Sequence, residues 1–111
     1  MESRTRYIAD FDIAGMRYWD GATVLSALKV GEGLSLVAES DNAADPDAVA
    51  IYRDGVKLGY VPRSENGIVS QLLHFGHRDV LECRILKVDP AADTWKQVRV
   101  GLYVTDKAAE K

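Results

Sequence analysis

The chain has 111 residues and a formal net charge of −3, and 47% of its residues are hydrophobic. This length fits one domain, and the hydrophobic fraction argues against a disordered chain. No basic block is present, which argues against non-specific coating of a nucleic-acid duplex, because such binding depends on neutralising many phosphates. Six acidic but only two basic side chains lie within residues 32–60.

Cys83 is the single cysteine, so no disulfide can form within the chain. A lone thiol is typical of a reducing compartment, and the position of Cys83 in an apolar run predicts a small core side chain. The first residues carry no apolar run, and no stretch is long and apolar enough to span a bilayer. We therefore expect a cytoplasmic protein that has no membrane partner.

The first half of the chain predicts two strands and a short helix. Residues 5–14 alternate between polar and apolar, which predicts a strand whose inner side is formed by Tyr7, Ala9, Phe11 and Ile13. Asp20 is a candidate N-cap for a short helix over residues 21–29. Alternation over residues 34–38 predicts a second strand, and residues 39–47 form a polar loop rich in turn-forming residues.

The dipeptide Asp54-Gly55 lies between two apolar runs, and this pattern predicts a hairpin over residues 48–61 with a type I′ turn. Regular pairing from this turn places Ile51 opposite Leu58 and Val49 opposite Tyr60.

The second half predicts one more helix and two more strands. Ser64 is the candidate N-cap of the helix and Gly76 its C-terminal cap, and the apolar stripe is formed by Ile68, Val69, Leu72 and Leu73. Residues 79–88 and 98–104 alternate as strands. About six short strands and two short helices favour a mostly β (α+β) fold closed or nearly closed into an antiparallel barrel, because closure removes exposed edges.

Possible metal ligands occur in two clusters, one of His74, His77 and Cys83 and one of Asp41, Asp45 and Asp47. The first cluster does not have the spacing of a zinc finger or ribbon. The second fails the calcium-loop pattern, because Pro46 stands where that loop needs glycine. Residues 31–33 are too short for a glycine-rich phosphate loop. We therefore expect no metal and no cofactor.

No complete catalytic constellation is present. The serines lie in no nucleophile-elbow context, and a catalytic Cys83 would need a surface thiol. A hydrolase that uses Asp45 or Asp47 as a base is the remaining catalytic alternative, and it would need a deep pocket with a nucleophile or a metal. We predict a binding module and not an enzyme.

Two short stretches carry the strongest binding signals, residues 15–21 (GMRYWDG) and 59–63 (GYVPR). In the first, Tyr18 and Trp19 can stack on bases while Arg17 meets phosphate, or the two rings can simply cap the end of the barrel. In the second, Tyr60 is a rim or core residue. Arg63 precedes a helix start, where backbone amides favour anions.

These stretches resemble the HIRAN domain family when four segments are taken together: residues 13–18 (IAGMRY), 34–39 (LSLVAE), 41–48 (DNAADPDA) and 58–63 (LGYVPR). The combination of an asparagine, a D-x-[ND]-A run, a β-branched strand and the pattern G-[YH]-[VL]-P-R is more specific than any of its parts. The similarity covers about residues 7 to 104.

The resemblance implies an OB-like β-barrel that binds the 3′ end of single-stranded DNA, as this domain does in eukaryotic remodelling helicases at stalled forks. It implies that Arg17 and Tyr18 meet the DNA, that Asp45 contacts the terminal hydroxyl and that Arg63 is the basic residue after the hairpin. Ala44 stands where the family has a stacking tyrosine. Trp95 is the nearest candidate for an aromatic residue in the last long loop.

We therefore predict a single HIRAN-like domain over residues 1–111 that binds single-stranded DNA in repair or fork processing, together with a separate helicase or nuclease. The predicted nucleic-acid-binding residues are Arg17, Tyr18, Trp19, Asp45, Tyr60 and Arg63. The alternative is a protein- or peptide-interaction module that uses the same barrel face. Steep weakening of binding by salt distinguishes the first function from the second.

Overall fold

The computed structural model describes residues 4–106, and six antiparallel strands form their main element. The strands are β1 (Thr5–Asp12), β2 (Gly33–Ala38), β3 (Val49–Arg53), β4 (Val56–Tyr60), β5 (Leu81–Val88) and β6 (Val98–Thr105). The helices are α1 (Gly21–Val24) and α2 (Asn66–His74), and four 3₁₀ turns cover Met16–Tyr18, Leu25–Ala27, Arg78–Val80 and Thr94–Lys96. Residues 1–3 and 107–111 of the predicted domain lie outside the described residues.

The mostly β fold of six antiparallel strands is confirmed, with the strand order β1-β6-β5-β2-β3-β4. The sheet does not close into a barrel, so the predicted closed or nearly closed OB-like barrel is only partly supported. β2 joins β5 through two residue pairs, Gly33 with Arg84 and Leu34 with Cys83, and this short junction separates two halves of the sheet. Within residues 4–106 the edge strands meet at one bridge between Ala14 and Tyr60, whose two backbone hydrogen bonds each measure 2.8 Å. One bridge is too little pairing to remove the two sheet edges.

The core lies on the inner side of the sheet, under α2. The alternation predicted for the last two strands is confirmed, because the buried side chains there are Cys83, Ile85, Val98, Val100 and Leu102. From α2, Val69 is buried and Leu73 packs against the core. Burial raises the pKa of the Cys83 thiol to about 12, so this side chain is a neutral part of the core.

The predicted type I′ turn of the β3–β4 hairpin is confirmed. Asp54 has φ 48° and Gly55 has φ 82°, and this turn requires positive φ at both central residues. Glycine adopts such a φ at no steric cost, and aspartate tolerates it better than most residues.

The predicted register of the same hairpin is wrong beyond its first two pairs. Ile51 pairs with Gly59 instead of Leu58, and Ala50 takes the place of Val49 opposite Tyr60. The extra residue in β4 is Leu58, which forms a β-bulge and is fully buried. Leu58 is therefore buried without a residue paired opposite it in β3.

A second bulge changes the predicted inner side of β1. The register with β6 shifts between Tyr7 and Ala9, which turns Tyr7 to the outer face of the sheet. Tyr7 is exposed there and donates a hydrogen bond to Asp10. Phe11 and Ile13 remain on the inner side, where both are buried as predicted.

α2 ends as predicted but begins one residue later. Gly76 has φ 81°, and a Schellman motif forms around it, in which the His77 N–H donates to the Leu72 carbonyl at 2.8 Å. The N-cap position is taken by Glu65 without a side-chain hydrogen bond, so the predicted Ser64 cap is wrong. Ile68, which the sequence predicts in the inner stripe, is 72% exposed, so this part of the prediction is wrong.

The helix predicted over residues 21–29 is shorter than expected. α1 ends at Val24 and continues as the 3₁₀ turn Leu25–Ala27. Leu28 then has extended backbone angles and buries its side chain in the core, so the chain leaves the helix before the predicted end. None of the helices within residues 4–106 has the length and apolar character to cross a membrane.

Gly59 lies where the two sheet edges approach, and we predict that it tolerates no side chain. A Cβ atom at this position would lie 2.4 Å from the Ala14 carbonyl oxygen and 2.7 Å from Ile13 Cγ2. Replacing Gly59 by alanine should lower the free energy of unfolding by about 1–3 kcal/mol, measured by urea denaturation.

The matched control is Gly33→Ala, also in a strand, where a Cβ would make only an ordinary 4.0 Å contact with the Cys83 carbonyl. This variant should stay within about 0.5 kcal/mol of the wild type. Equal stability of the two variants would show that the approach at Gly59 is not tight.

Candidate nucleic-acid interface

A lysine that contacts two aromatic rings joins the two stretches with predicted binding residues, residues 15–21 and 59–63. The Lys57 Nζ lies 3.7 Å from the centroid of the Trp19 ring and 4.5 Å from that of Tyr60. The two rings meet edge to face at 6.0 Å. The same Nζ donates to Glu39 Oε2 at 2.6 Å and to the Tyr60 hydroxyl at 2.7 Å. We call Trp19, Glu39, Lys57 and Tyr60 the aromatic cluster.

The two charged side chains of the aromatic cluster, Lys57 and Glu39, pair with each other. Burial raises the pKa of Glu39, but hydrogen bonds from Lys57, Tyr60 and Asn42 outweigh it and lower the pKa overall. Burial lowers the pKa of Lys57, but its interactions with Glu39 and Tyr60 together outweigh burial and raise the pKa overall. Burial and the bond to Glu39 raise the pKa of Tyr60. At neutral pH the cluster therefore holds one ion pair and a neutral phenol.

The polar loop over residues 39–47 is ordered by its own side chains. Asn42 Oδ1 accepts hydrogen bonds from the N–H groups of Ala44 at 3.0 Å and Asp45 at 3.1 Å. Asp45 Oδ1 accepts one from the Asp47 N–H at 3.0 Å. Such Asx turns fix a loop without helix or sheet pairing. Asn42 Nδ2 also donates to Glu39 Oε1 at 3.2 Å, which ties the loop to the aromatic cluster.

Asp45 is held from its other side by α2 and the residues before it. Asn66, buried in the first turn of α2, donates to Asp45 Oδ2 at 3.0 Å. The Arg63 Nε lies 3.5 Å from the same oxygen, and Arg63 also donates to the Ala44 carbonyl at 3.2 Å. The side chain of Asp45 is 20% exposed and that of Arg63 is 74% exposed. The pair therefore combines a fixed anion with an accessible cation.

These groups border one cavity of about 280 Å³, which we call the end pocket. It is lined by Ala14, Gly15, Asn42, Ala44, Asp45, Ala48, Tyr60, Val61, Arg63 and Asn66. Ligand pockets usually measure roughly 300–1,000 Å³, so this one lies at the lower end of that range. A carboxylate oxygen has two acceptor positions, and Oδ1 of Asp45 uses one for Asp47. Oδ1 can therefore accept one more hydrogen bond.

Arg17 and Tyr18 lie beside this pocket and not in it. Both are exposed on the Met16–Tyr18 turn, which follows Gly15 of the pocket lining, and the Arg17 guanidinium lies 5.4 Å from the Tyr18 ring centroid. Within residues 4–106 neither forms a hydrogen bond or ion pair with Asp45. We call this exposed turn, together with the Thr94–Lys96 turn that packs against it, the rim of the pocket.

Trp95 lies on a second turn of the same rim. The Thr94–Lys96 turn packs against the Met16–Tyr18 turn. The Trp95 ring is exposed, and the Lys96 Nζ lies 4.6 Å from its centroid. The two turns thus present two exposed rings, each with a cation over it, and such pairs suit both bases and phosphates.

The structure brings four of the six predicted residues together from separate segments, as two pairs: Trp19 with Tyr60, and Asp45 with Arg63. The other two, Arg17 and Tyr18, contact each other as chain neighbours. Tyr60 joins the pairs, because it belongs to the aromatic cluster and lines the end pocket. Sequence reasoning missed the groups that hold them in place, which are Glu39, Asn42, Lys57 and Asn66. Of these, Asn42 carried a signal as the asparagine of the family pattern, and Glu39 as the last residue of the resembling segment 34–39.

Neither group of possible metal ligands is assembled. In the part of the chain that the structure describes, no three histidine, cysteine or acidic side chains lie together so as to hold a metal ion. Asp45 and Asp47 instead bind the backbone and side chains of their own loop and of α2.

Comparisons with known proteins show the family of this chain. The family model of the HIRAN domain matches residues 7–105, so the chain belongs to the HIRAN domain family, whose members are nucleic-acid-binding modules. A crystal structure of a protein from Lactobacillus plantarum matches with a TM-score of 0.78 and 24% identity over 95% of this chain and 99% of that one.

The HIRAN domain of human HLTF matches with a TM-score of 0.70 and 14% identity, over 96% of this chain and 82% of that one. At these identities both structures support the fold alone. No curated protein matches the chain.

We predict that the Lys57–Glu39 pair stabilises the fold in a pH-dependent way. Lys57→Met should lower the free energy of unfolding by about 1–3 kcal/mol at neutral pH, because it leaves the half-buried Glu39 carboxylate without an oppositely charged partner. The folded pKa of Glu39 is lowered, so its contribution is present above the ordinary value of 4.5 and is lost as the pH falls through the folded pKa. Urea denaturation should show a difference that shrinks as the pH falls.

The control is Lys87→Met, which removes one positive charge from an exposed lysine of β5. This change should alter the free energy of unfolding by no more than about 0.5 kcal/mol at neutral or at acidic pH. A Lys57→Met effect that does not change with pH would contradict the role given to Glu39.

Proposed function

We propose that this chain binds single-stranded DNA and holds the 3′ end of the strand in the end pocket. The observation that carries this proposal is the pairing of a fixed carboxylate, Asp45, with an accessible guanidinium, Arg63, in one small cavity. Membership of a nucleic-acid-binding family supports the general function. The finer assignment to a strand end rests on the chemistry of this cavity.

A carboxylate discriminates between the end of a strand and its interior. It accepts a hydrogen bond from a free hydroxyl, whereas it repels the phosphate that continues an uninterrupted backbone. In the proposed complex the open acceptor position of Asp45 Oδ1 receives the terminal 3′-hydroxyl. Arg63 and the first turn of α2 then neutralise the preceding phosphate.

The rest of the strand is proposed to run over the rim. Tyr18 is 74% exposed and Trp95 60%, so both rings are accessible for stacking on bases. Arg17 and Lys96 lie over these rings and can meet phosphates. Trp19 is 41% exposed but already packs on Lys57 and Tyr60, so we assign it to the wall of the site more than to base stacking.

We further propose that the domain acts without catalysis and delivers a strand end to a separate helicase or nuclease. The described site has acceptors and cations but no nucleophile beside a base, and the Cys83 thiol is buried in the core. A function of this kind accounts for a chain with net charge −3, because only a few local cations meet the strand.

The direct test compares two labelled oligonucleotides that differ only in a 3′-hydroxyl or a 3′-phosphate. The 3′-phosphate should weaken binding about tenfold or more, because it brings negative charge against Asp45. Asp45→Asn should remove most of this difference. Asp41→Asn is the matched control, since Asp41 is exposed in the same loop but outside the pocket lining, and it should keep the difference.

Equal affinities for the two ends would remove the role given to Asp45. Binding that does not weaken as salt rises would contradict nucleic-acid recognition altogether and would favour the peptide-binding alternative.

Ala44 offers a gain-of-function prediction. It lines the end pocket at the position where the family resemblance places a stacking tyrosine. Ala44→Tyr should therefore tighten binding of a 3′-hydroxyl oligonucleotide about tenfold, since one stacked base is worth roughly 1–3 kcal/mol.

The control for this variant is Ala43→Tyr, which adds the same ring to the neighbouring exposed residue outside the pocket lining. It should leave affinity unchanged. A gain of the same size from both variants would mean that any added ring on this loop suffices.

A further inference from the structure

α2 carries a second apolar stripe that faces away from the core. Ile68 and Phe75 are 72% and 75% exposed, and Leu72 lies between them at helical spacing. Residues three, four and seven apart share one face of a helix, so these three side chains form a continuous line. The inner face of the same helix is made by Val69 and Ser70, which are buried.

The outer face of α2 lacks the charges that a solvated helix normally carries. Residues 66–76 contain no aspartate, glutamate, lysine or arginine. Surface helices usually place charged residues opposite their buried stripe, whereas the centres of protein interfaces are depleted of charge. Gly67 has nothing within 4 Å of a Cβ built on it, so another backbone can approach closely there.

The stripe continues into a groove of about 350 Å³ between α2 and β1. Ile8, the residue at the β1 bulge, is 45% exposed and lines this groove together with Ile68 and Leu72. Helix and groove therefore form one exposed apolar surface, and contiguous surfaces of this kind mark sites of protein association.

The charges at the two ends of α2 are opposite in sign. Glu65 stands at its start, and Arg78 follows its end just after His77. Both Glu65 and Arg78 are exposed, and within residues 4–106 neither forms an ion pair. If a second α2 lies antiparallel to the first, Glu65 of each copy meets Arg78 of the other. The antiparallel arrangement also sets opposite ends of the helix dipoles together.

We propose that the outer face of α2 is a two-fold interface between two copies of this chain. In such an interface the same surface serves both partners, which requires it to be self-complementary in shape and charge. An apolar centre formed by Ile68, Leu72 and Phe75, with Glu65 before one end of the helix and Arg78 beyond the other, meets this requirement.

The proposal does not rest on the nucleic-acid function. Asn66 points to the end pocket, whereas Glu65, Gly67 and Ile68 line the groove on the other side of the helix start. The end pocket therefore stays open when the two copies associate. The pair would present two end pockets on one particle.

Sedimentation of the full chain over a range of concentrations tests the interface. The wild type should form a dimer, and Ile68→Glu should raise the dimer dissociation constant about tenfold or more, because it puts an unpaired charge into the apolar centre. Val30→Glu is the matched control, since Val30 is 67% exposed and lies outside α2 and the groove. It should leave the dimer intact. Circular dichroism should confirm that both variants are folded.

A charge reversal tests the antiparallel geometry. Glu65→Arg and Arg78→Glu should each weaken the dimer severalfold, and the double variant should recover most of the loss, because the reversed pair attracts again. Phe75→Glu, which puts a charge into the same apolar centre at the end of α2 far from the end pocket, should likewise weaken the dimer, while its binding of a short 3′-hydroxyl oligonucleotide should match the wild type. A wild type that stays monomeric at the highest soluble concentration, or a double variant that is weaker than either single one, would overturn the proposal.

Discussion

The carboxylate of Glu39 is the contact on which the candidate site depends. It accepts hydrogen bonds from Lys57 of β4, from Asn42 of the polar loop and from the Tyr60 hydroxyl at the end of β4. Lys57 in turn lies on the ring of Trp19. Three segments far apart in the sequence are thus joined at one half-buried anion. A loop held in this way needs little further ordering when a ligand binds, which preserves affinity.

The backbone places these segments next to each other before any side chain contributes. The missing side chain of Gly59 lets β4 approach the Ala14 carbonyl, and Tyr60 pairs with Ala14. This bridge places the Met16–Tyr18 turn, which contains Arg17, at the open end of the sheet. The wall of the end pocket is therefore built from the two sheet edges, and an open sheet can form the mouth that a closed barrel was expected to supply.

The turn and the helix end that require a positive φ were predictable from the sequence, whereas strand register and the start of α2 were not. The I′ turn at Asp54-Gly55 and the Gly76 cap follow from φ preferences of single residues, and the structure confirms both. The bulge in β1 depends on pairing with β6, which is far away in the sequence, so alternation alone predicts the wrong side for Tyr7. The bulge in β4 lies beside Gly59, where β4 approaches Ala14. The sequence did not predict the Lys57–Glu39 pair for the same reason. Their polar side chains have the pattern of ordinary solvent-facing residues, and only the fold brings them together.

The central claim is that a strand end is bound in the end pocket, and amide chemical-shift mapping by NMR tests it most directly. A short oligonucleotide with a free 3′-hydroxyl, titrated into the ¹⁵N-labelled chain, should move the amides of Gly15, Asp45 and Arg63 most. The amides on the outer face of β1, β6 and β5 should move little. Largest shifts on that outer face, with the pocket amides unchanged, would contradict the account.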